Sequence, residues 1–150
     1  MARDEPRYLA PSWGAALFNA AIRSLAALGV SVYGARNLAV RGRRSGAWQI
    51  VPVNLLEMED GRYLVAPRGV TQWVRNLRAA GGGELRLGSR REGFRASELA
   101  DAAKPAILRA YLRRWAFEVN AFFEGVGADS SDAELLRIAP NHPVFRIETA

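Results

Sequence analysis

Apolar and polar positions change period several times along the chain, and each change marks an element. Trp13, Leu17, Ala20, Ala21, Leu25 and Leu28 recur near helical spacing, which predicts a helix over 12–28 closed by Gly29. Residues 36–41 alternate, and 50–57 form an apolar run rich in β-formers, so both read as strands. Asp60 and Gly61 are the dipeptide of a tight hairpin turn, with 62–66 as the return strand. Thr71 can cap a short helix carrying Trp73, Val74 and Leu77 on one face, ended by Gly81, Gly82 and Gly83.

Residues 84–87 and 94–99 read as a second hairpin turning near Gly88 and Ser89. From Asp101 a longer helix is expected, with Pro105 tolerated about its first turn. Ile107, Leu108, Tyr111, Leu112, Trp115 and Val119 would form its apolar face, with Arg109, Arg113 and Arg114 pointing elsewhere. Ser131 and Glu134 make a capping box for a last short helix, and 144–148 is a closing strand. There is no regular βαβα alternation. The pattern predicts one domain over 1–150, mainly β with packed helices: a small antiparallel barrel.

Composition narrows the chemistry. The 150 residues are 49% hydrophobic and contain no cysteine, which excludes disulfides, thiolate nucleophiles, iron–sulfur clusters and cysteine zinc sites. His142 is the only histidine, and no cluster of metal ligands or G-x-S-x-G elbow accompanies it. It reads as a loop residue ahead of the last strand. Net charge is +6, and Lys104 is the only lysine among 21 basic residues. Such a surface calls for an anionic partner: nucleic acid, lipid or a polyanionic small molecule. The expected strands carry only Tyr63, Phe94 and Phe145, without the basic–aromatic interleaving of a single-strand platform, so no nucleic-acid partner is expected.

Asp4 and Glu5 stand where a secretory signal would carry positive charge, and no run of about 18 apolar residues exists. A cytoplasmic protein is expected, with peripheral membrane contact through the 12–28 helix as a further option. Oligomeric state stays open.

Two segments carry candidate chemistry. Arg41-Gly42-Arg43-Arg44-Ser45-Gly46 joins two strands; its glycines allow a sharp turn and its arginines can grip phosphate or carboxylate. Ala66-Pro67-Arg68-Gly69 leaves the hairpin strand and runs into Gln72-Trp73-Val74-Arg75-Asn76-Leu77, where a helix N-terminus favours anions. Taken alone, each is equally a solvated basic turn or a helix surface.

In order, G-R-R-S-G, V-P-V-N, a D-G hairpin, A-P-R-G, Q-W-V-R-N-L-R-A and a closing H-P-V-F-R-I resemble the deazaflavin-dependent nitroreductase family of actinobacteria. That family is a branch of the split-barrel flavin-binding proteins. The resemblance implies a split β-barrel that binds 8-hydroxy-5-deazaflavin (coenzyme F-420), whose tail carries phosphate and oligoglutamate. It implies that Arg43, Arg44, Ser45 and Gly46 receive the tail, and that Val51, Pro52, Val53 and Asn54 lie along the ring. Ala66, Pro67, Arg68 and Gly69 would wrap the phosphate end, and Gln72, Trp73 and Asn76 would complete the groove.

The implied reaction is hydride transfer from the reduced cofactor to a small acceptor such as an enone, quinone or nitro compound; the proton that must follow would come from water or from Tyr111. Some members carry a serine, linked to substrate activation, where Pro67 stands here; proline cannot do this. A non-catalytic module for the cofactor or a lipid-like ligand, and an FMN enzyme of the same fold, are the alternatives.

Overall fold

The computed structural model describes residue 21 and residues 34–150. The helix expected over 12–28 therefore lies outside the described residues, apart from Ala21, which is helical and exposed. So does the membrane contact expected through it. Six strands follow: β1 (Ala35–Arg41), β2 (Trp48–Met58), β3 (Gly61–Val65), β4 (Gly82–Leu87), β5 (Arg90–Glu98) and β6 (Val144–Thr149). They close into an antiparallel barrel in the order β1-β2-β3-β6-β5-β4. Three helices pack on it: α1 (Gln72–Ala80), α2 (Pro105–Val119) and α3 (Asp132–Ile138). Among the described residues no helix is long and apolar enough to cross a membrane.

Successive residues of a strand point to opposite faces, and the barrel uses this to build two cores. Leu55 and its cross-strand partner Leu64 face inward, with Leu38, Val40, Phe94, Phe145 and Ile147, under a lid of Val74 and Leu77 from α1. Leu56, Tyr63 and Val65 face outward and are buried by Leu108, Tyr111, Leu112 and Trp115 of α2 and by Leu135 and Ile138 of α3. The apolar face expected for α2 is buried at every one of its positions. Each such side chain contributes roughly 1.5–3 kcal/mol through burial.

Several boundaries differ from the sequence expectation. The first hairpin turns at Glu59 and Asp60, because Gly61 already pairs with Met58 as the first residue of β3. Gly82 and Gly83 join β4 and do not extend the helix stop; Gly81, with φ of 73°, ends α1 alone and donates to the Leu77 carbonyl. β5 starts at Arg90, four residues before Phe94. Asp101–Ala103 is a separate single 3-10 turn, and α2 begins at Pro105, where a missing N–H costs nothing.

β2 begins at Trp48, so strand aromatics exceed those expected. Arg41 and Arg86 stack on the Trp48 ring at 4.0 and 5.1 Å. Arg109 points away from the core, as expected, and ties down the α3 approach by donating to the Ala128 and Ser130 carbonyls at 2.6 and 2.7 Å. The capping box of α3 forms in both directions, each bond 3.2 Å.

Candidate functional site

One relation in the sheet opens a site. Residues 48–54 of β2 pair with β1, whereas only Leu55, Leu56, Glu57 and Met58 pair with β3. Along its first seven residues β2 therefore has no second partner strand among the described residues, and Pro52, which has no N–H to donate, sits there. A cleft of about 830 Å³ lies along this stretch. That is the size of a cofactor pocket.

Four segments complete its walls. The β1–β2 connection supplies Gly42, Arg43, Arg44 and Ser45, and the exit of β3 supplies Ala66, Pro67 and Arg68. The first turns of α1 supply Thr71, Gln72, Trp73, Arg75 and Asn76. The middle of α2 supplies Tyr111 and its last turn Glu118 and Val119, with Phe122 just beyond it.

Almost every residue that the sequence marked for the cofactor lines this cleft. Arg43, Arg44, Ser45, Val51, Pro52, Val53, Asn54, Ala66, Pro67, Arg68, Gln72, Trp73, Asn76 and Tyr111 are all on its walls. Gly46 and Gly69 are not among the lining residues. They shape the two loops through left-handed backbone, at φ of 72° and 91°. The cleft also takes in Gln49, Ile50, Arg75 and Glu118, which the sequence reading did not single out, together with Thr71, expected only as a helix cap, and Phe122, whose position along the chain did not place it. Thr71 and Arg75 stand one turn apart, as Gln72 and Asn76 do, and Glu118 stands two turns after Tyr111, so helical spacing puts each pair on one face.

The basic loop is built into the fold. Gly42 N–H donates to the Ala47 carbonyl at 2.8 Å, and Gly46 N–H donates to the Gly42 carbonyl at 2.9 Å, which closes the turn. Arg43 is tied to α1: its guanidinium donates to Gln72 Oε1 at 2.9 Å and Asn76 Oδ1 at 2.8 Å. Arg44 and Arg75 are exposed and in no ion pair among the described residues. The Arg68 guanidinium lies over the Phe122 ring at 4.6 Å.

The start of α1 adds positive potential. Thr71 is its N-cap, yet its hydroxyl caps nothing, and the first turn holds no acidic residue. Thr71 Oγ1 is buried at the cleft without a hydrogen-bond partner. Uncapped N–H groups, an orphaned hydroxyl and four arginines fit a ligand with a strongly anionic portion. The half-buried Val51, Pro52 and Val53, with Trp73 tilted against Phe145 at 6.1 Å, offer an apolar wall to a flat ring.

Tyr111 sits at the other end, fully enclosed. Burial, and secondarily the charge of Glu118, push its hydroxyl well above the ordinary phenol value, while a hydrogen bond with Asn54 opposes the rise. A phenol so placed is a weak acid at neutral pH. His142 precedes the last strand as expected, but it is buried, stacked on Phe123 at 4.0 Å, with Nδ1 3.4 Å from the Ala66 carbonyl oxygen. Among the described residues no group of His, Cys, Asp or Glu is arranged to hold a metal.

A closed antiparallel barrel with an arginine-rimmed cleft between strand and helices defines the class of split-barrel flavin- and deazaflavin-binding proteins. The family profile of F420H(2)-dependent quinone reductase matches residues 19–122, and the chain belongs to that family. It is a deazaflavin-dependent reductase, and the FMN alternative gains no support. No curated protein matches the chain.

Solved structures share the fold at low identity. An F420-H2 dependent reductase (FDR-A) is 16% identical, covering 77% of this chain and 94% of that chain at a TM-score of 0.53. A domain-swapped dimer is 16% identical, covering 91% and 97% at 0.55. The heme storage protein HutZ of Vibrio cholerae is 11% identical, covering 79% and 82% at 0.53.

Proposed function

We propose that this chain binds coenzyme F-420 in the cleft along β2 and delivers hydride from its reduced form to a small quinone, enone or nitro acceptor. The observation that carries the reading is the pairing, in one cleft, of four arginines with the apolar wall of Val51, Pro52 and Val53. Arg43, Arg44 and Ser45, with the start of α1, would hold the anionic tail. Arg68 adds a further cation beside Phe122. Val51 to Asn54 would lie along the ring, and Trp73 would close its side. When bound, the deazaflavin supplies the two electrons, as hydride from its ring carbon. The protein then needs no nucleophile, which accords with a chain that has no cysteine and a single, buried histidine.

Tyr111 would keep its proton and position Asn54, leaving solvent or the acceptor's surroundings to complete protonation. The site needs no membrane-crossing element, and a cytoplasmic location accords with this reading.

Fluorescence titration with oxidised deazaflavin and with FMN, each at low and high salt, tests the proposal. Micromolar or tighter deazaflavin binding that weakens with salt is expected, since paired charges at an open cleft are screened. FMN binding without deazaflavin binding would overturn it.

A further inference from the structure

We infer, on the deazaflavin reading given above, that Glu118 is a specificity-determining residue that disfavours anionic acceptors and leaves neutral ones admitted. Among the described residues lining the cleft there are four arginines and a single carboxylate, that of Glu118. An anion-binding cavity gains nothing from a carboxylate on its wall, so its position carries information. Glu118 lies in the last turn of α2, on the face that carries Tyr111. It is in no ion pair among the described residues. Its partner is a neutral amide: Asn54 Nδ2 donates to Glu118 Oε2 at 3.4 Å. Tyr111 and Asn54 line the same cleft, so the amide that carries the Glu118 contact belongs to the wall that also holds the phenol. An amide orients a carboxylate without cancelling its charge.

The cleft is therefore polar along its length. Five residue steps along β2 lead from Gln49, beside the basic loop, to Asn54, about 16 Å of extended strand. Arg43 is fixed at the α1 end by Gln72 and Asn76. Arg68 stacks on Phe122, beyond Glu118 in the chain, and is not its ion-pair partner. A tail held by the arginine loop directs the rest of the ligand toward Asn54 and Glu118. An acceptor reaching that end meets a carboxylate with no ion-pair partner among the described residues. Two like charges 4 Å apart in water shift an equilibrium about fivefold, and by more where water is displaced. Uncharged carbonyl and nitro compounds feel little of this.

The test uses the whole chain loaded with oxidised deazaflavin, so that binding is read without turnover. Wild type, E118Q and E59Q are titrated with 1,4-naphthoquinone and with its 2-sulfonate; Glu59 is exposed in the β2–β3 turn and makes the same charge change outside the cleft. E59Q should bind deazaflavin as wild type does, and every form is held saturated with deazaflavin, so that a changed cofactor affinity in E118Q does not enter the acceptor titration. E118Q should bind the sulfonate about five- to tenfold tighter than wild type does, with the neutral quinone within about twofold. E59Q should match wild type. Sulfonate affinity unchanged in E118Q, or changed equally in E59Q, overturns the inference and leaves the deazaflavin reading standing. Failure of wild type to bind deazaflavin overturns both.

Discussion

Asn76 Oδ1 accepts two hydrogen bonds from Arg43, one from the backbone N–H at 3.1 Å and one from the guanidinium at 2.8 Å. Asn76 is buried on α1, so a helix side chain dictates where the β1–β2 loop stands. N76A should leave the Arg43 N–H without this partner and release the loop. We expect a stability loss of about 1–3 kcal/mol in denaturant unfolding and a deazaflavin Kd raised about tenfold. An unchanged Kd would show that the loop holds its shape without α1.

Removing charge from the rim should act on binding and spare the fold. R44A and R68A are each expected to weaken deazaflavin binding about tenfold, the size of one charge-assisted contact, while Tm moves little. Arg44 is exposed, and the stacking of Arg68 on Phe122 is worth only about 0.5–1 kcal/mol. Unchanged affinity in both variants would remove the tail assignment.

The raised pKa of Tyr111 has a kinetic consequence. Its hydroxyl stays protonated past the ordinary phenol value of 10.0, so the pH–rate profile should show no alkaline limb from it below that. Y111F removes the contact to Asn54 while keeping the ring that packs on Trp115 at 5.0 Å. Deazaflavin Kd should hold, with kcat lowered by no more than about tenfold. A loss of 100-fold or more would make the hydroxyl a proton donor after all.

Glu92 links stability to acid. Hydrogen bonding from Arg62, with that of Thr149 also favouring the ionised form, holds its carboxyl down at about 2 against an ordinary 4.5. The folded state thus favours the ionised form: its contribution is full above pH 4.5 and is lost as pH falls toward 2. Glu92 is about a third exposed, so solvent screening leaves about 1 kcal/mol of that contribution. Comparing denaturant midpoints at pH 6 and pH 3, wild type should lose more stability than E92Q does. Equal losses would show that other groups govern acid unfolding.

Two glycines should respond differently to alanine. A Cβ on Gly83 would stand 2.5 Å from the Ala39 carbonyl oxygen across the β1–β4 pair, and strand backbone cannot retreat cheaply. G83A should cost about 3 kcal/mol in unfolding experiments. Gly46 has open space around its Cβ position, and only its φ of 72° opposes a side chain. G46A should cost about 1 kcal/mol, with binding affected more than stability.

Much of the site was legible because its residues lie close together in the chain. Arg43, Arg44 and Ser45 share one loop; Gln72, Trp73 and Asn76 share one short helix; and Val51 to Asn54 are consecutive. The barrel likewise followed from alternation and turn dipeptides, with errors of a few residues at ends. The Glu59–Asp60 turn, for example, is set by the pairing of Gly61 with Met58, which depends on a partner strand. Glu118, Phe122 and the burial of His142 were not legible, because each acquires its neighbours from segments more than 60 residues away or from a loop packing against the barrel.

By itself, then, the sequence determined most of the elements over 34–150 and the basic character of the two loops, since these depend on local period, local charge and order along the chain. Only the tertiary structure decided where β2 leaves β3 and opens a cleft, which part of α2 faces that cleft, and that the lone lining carboxylate among the described residues stands beside an amide. The reason is physical: strand pairing and helix packing are contacts between distant segments, chosen by the burial of the whole core.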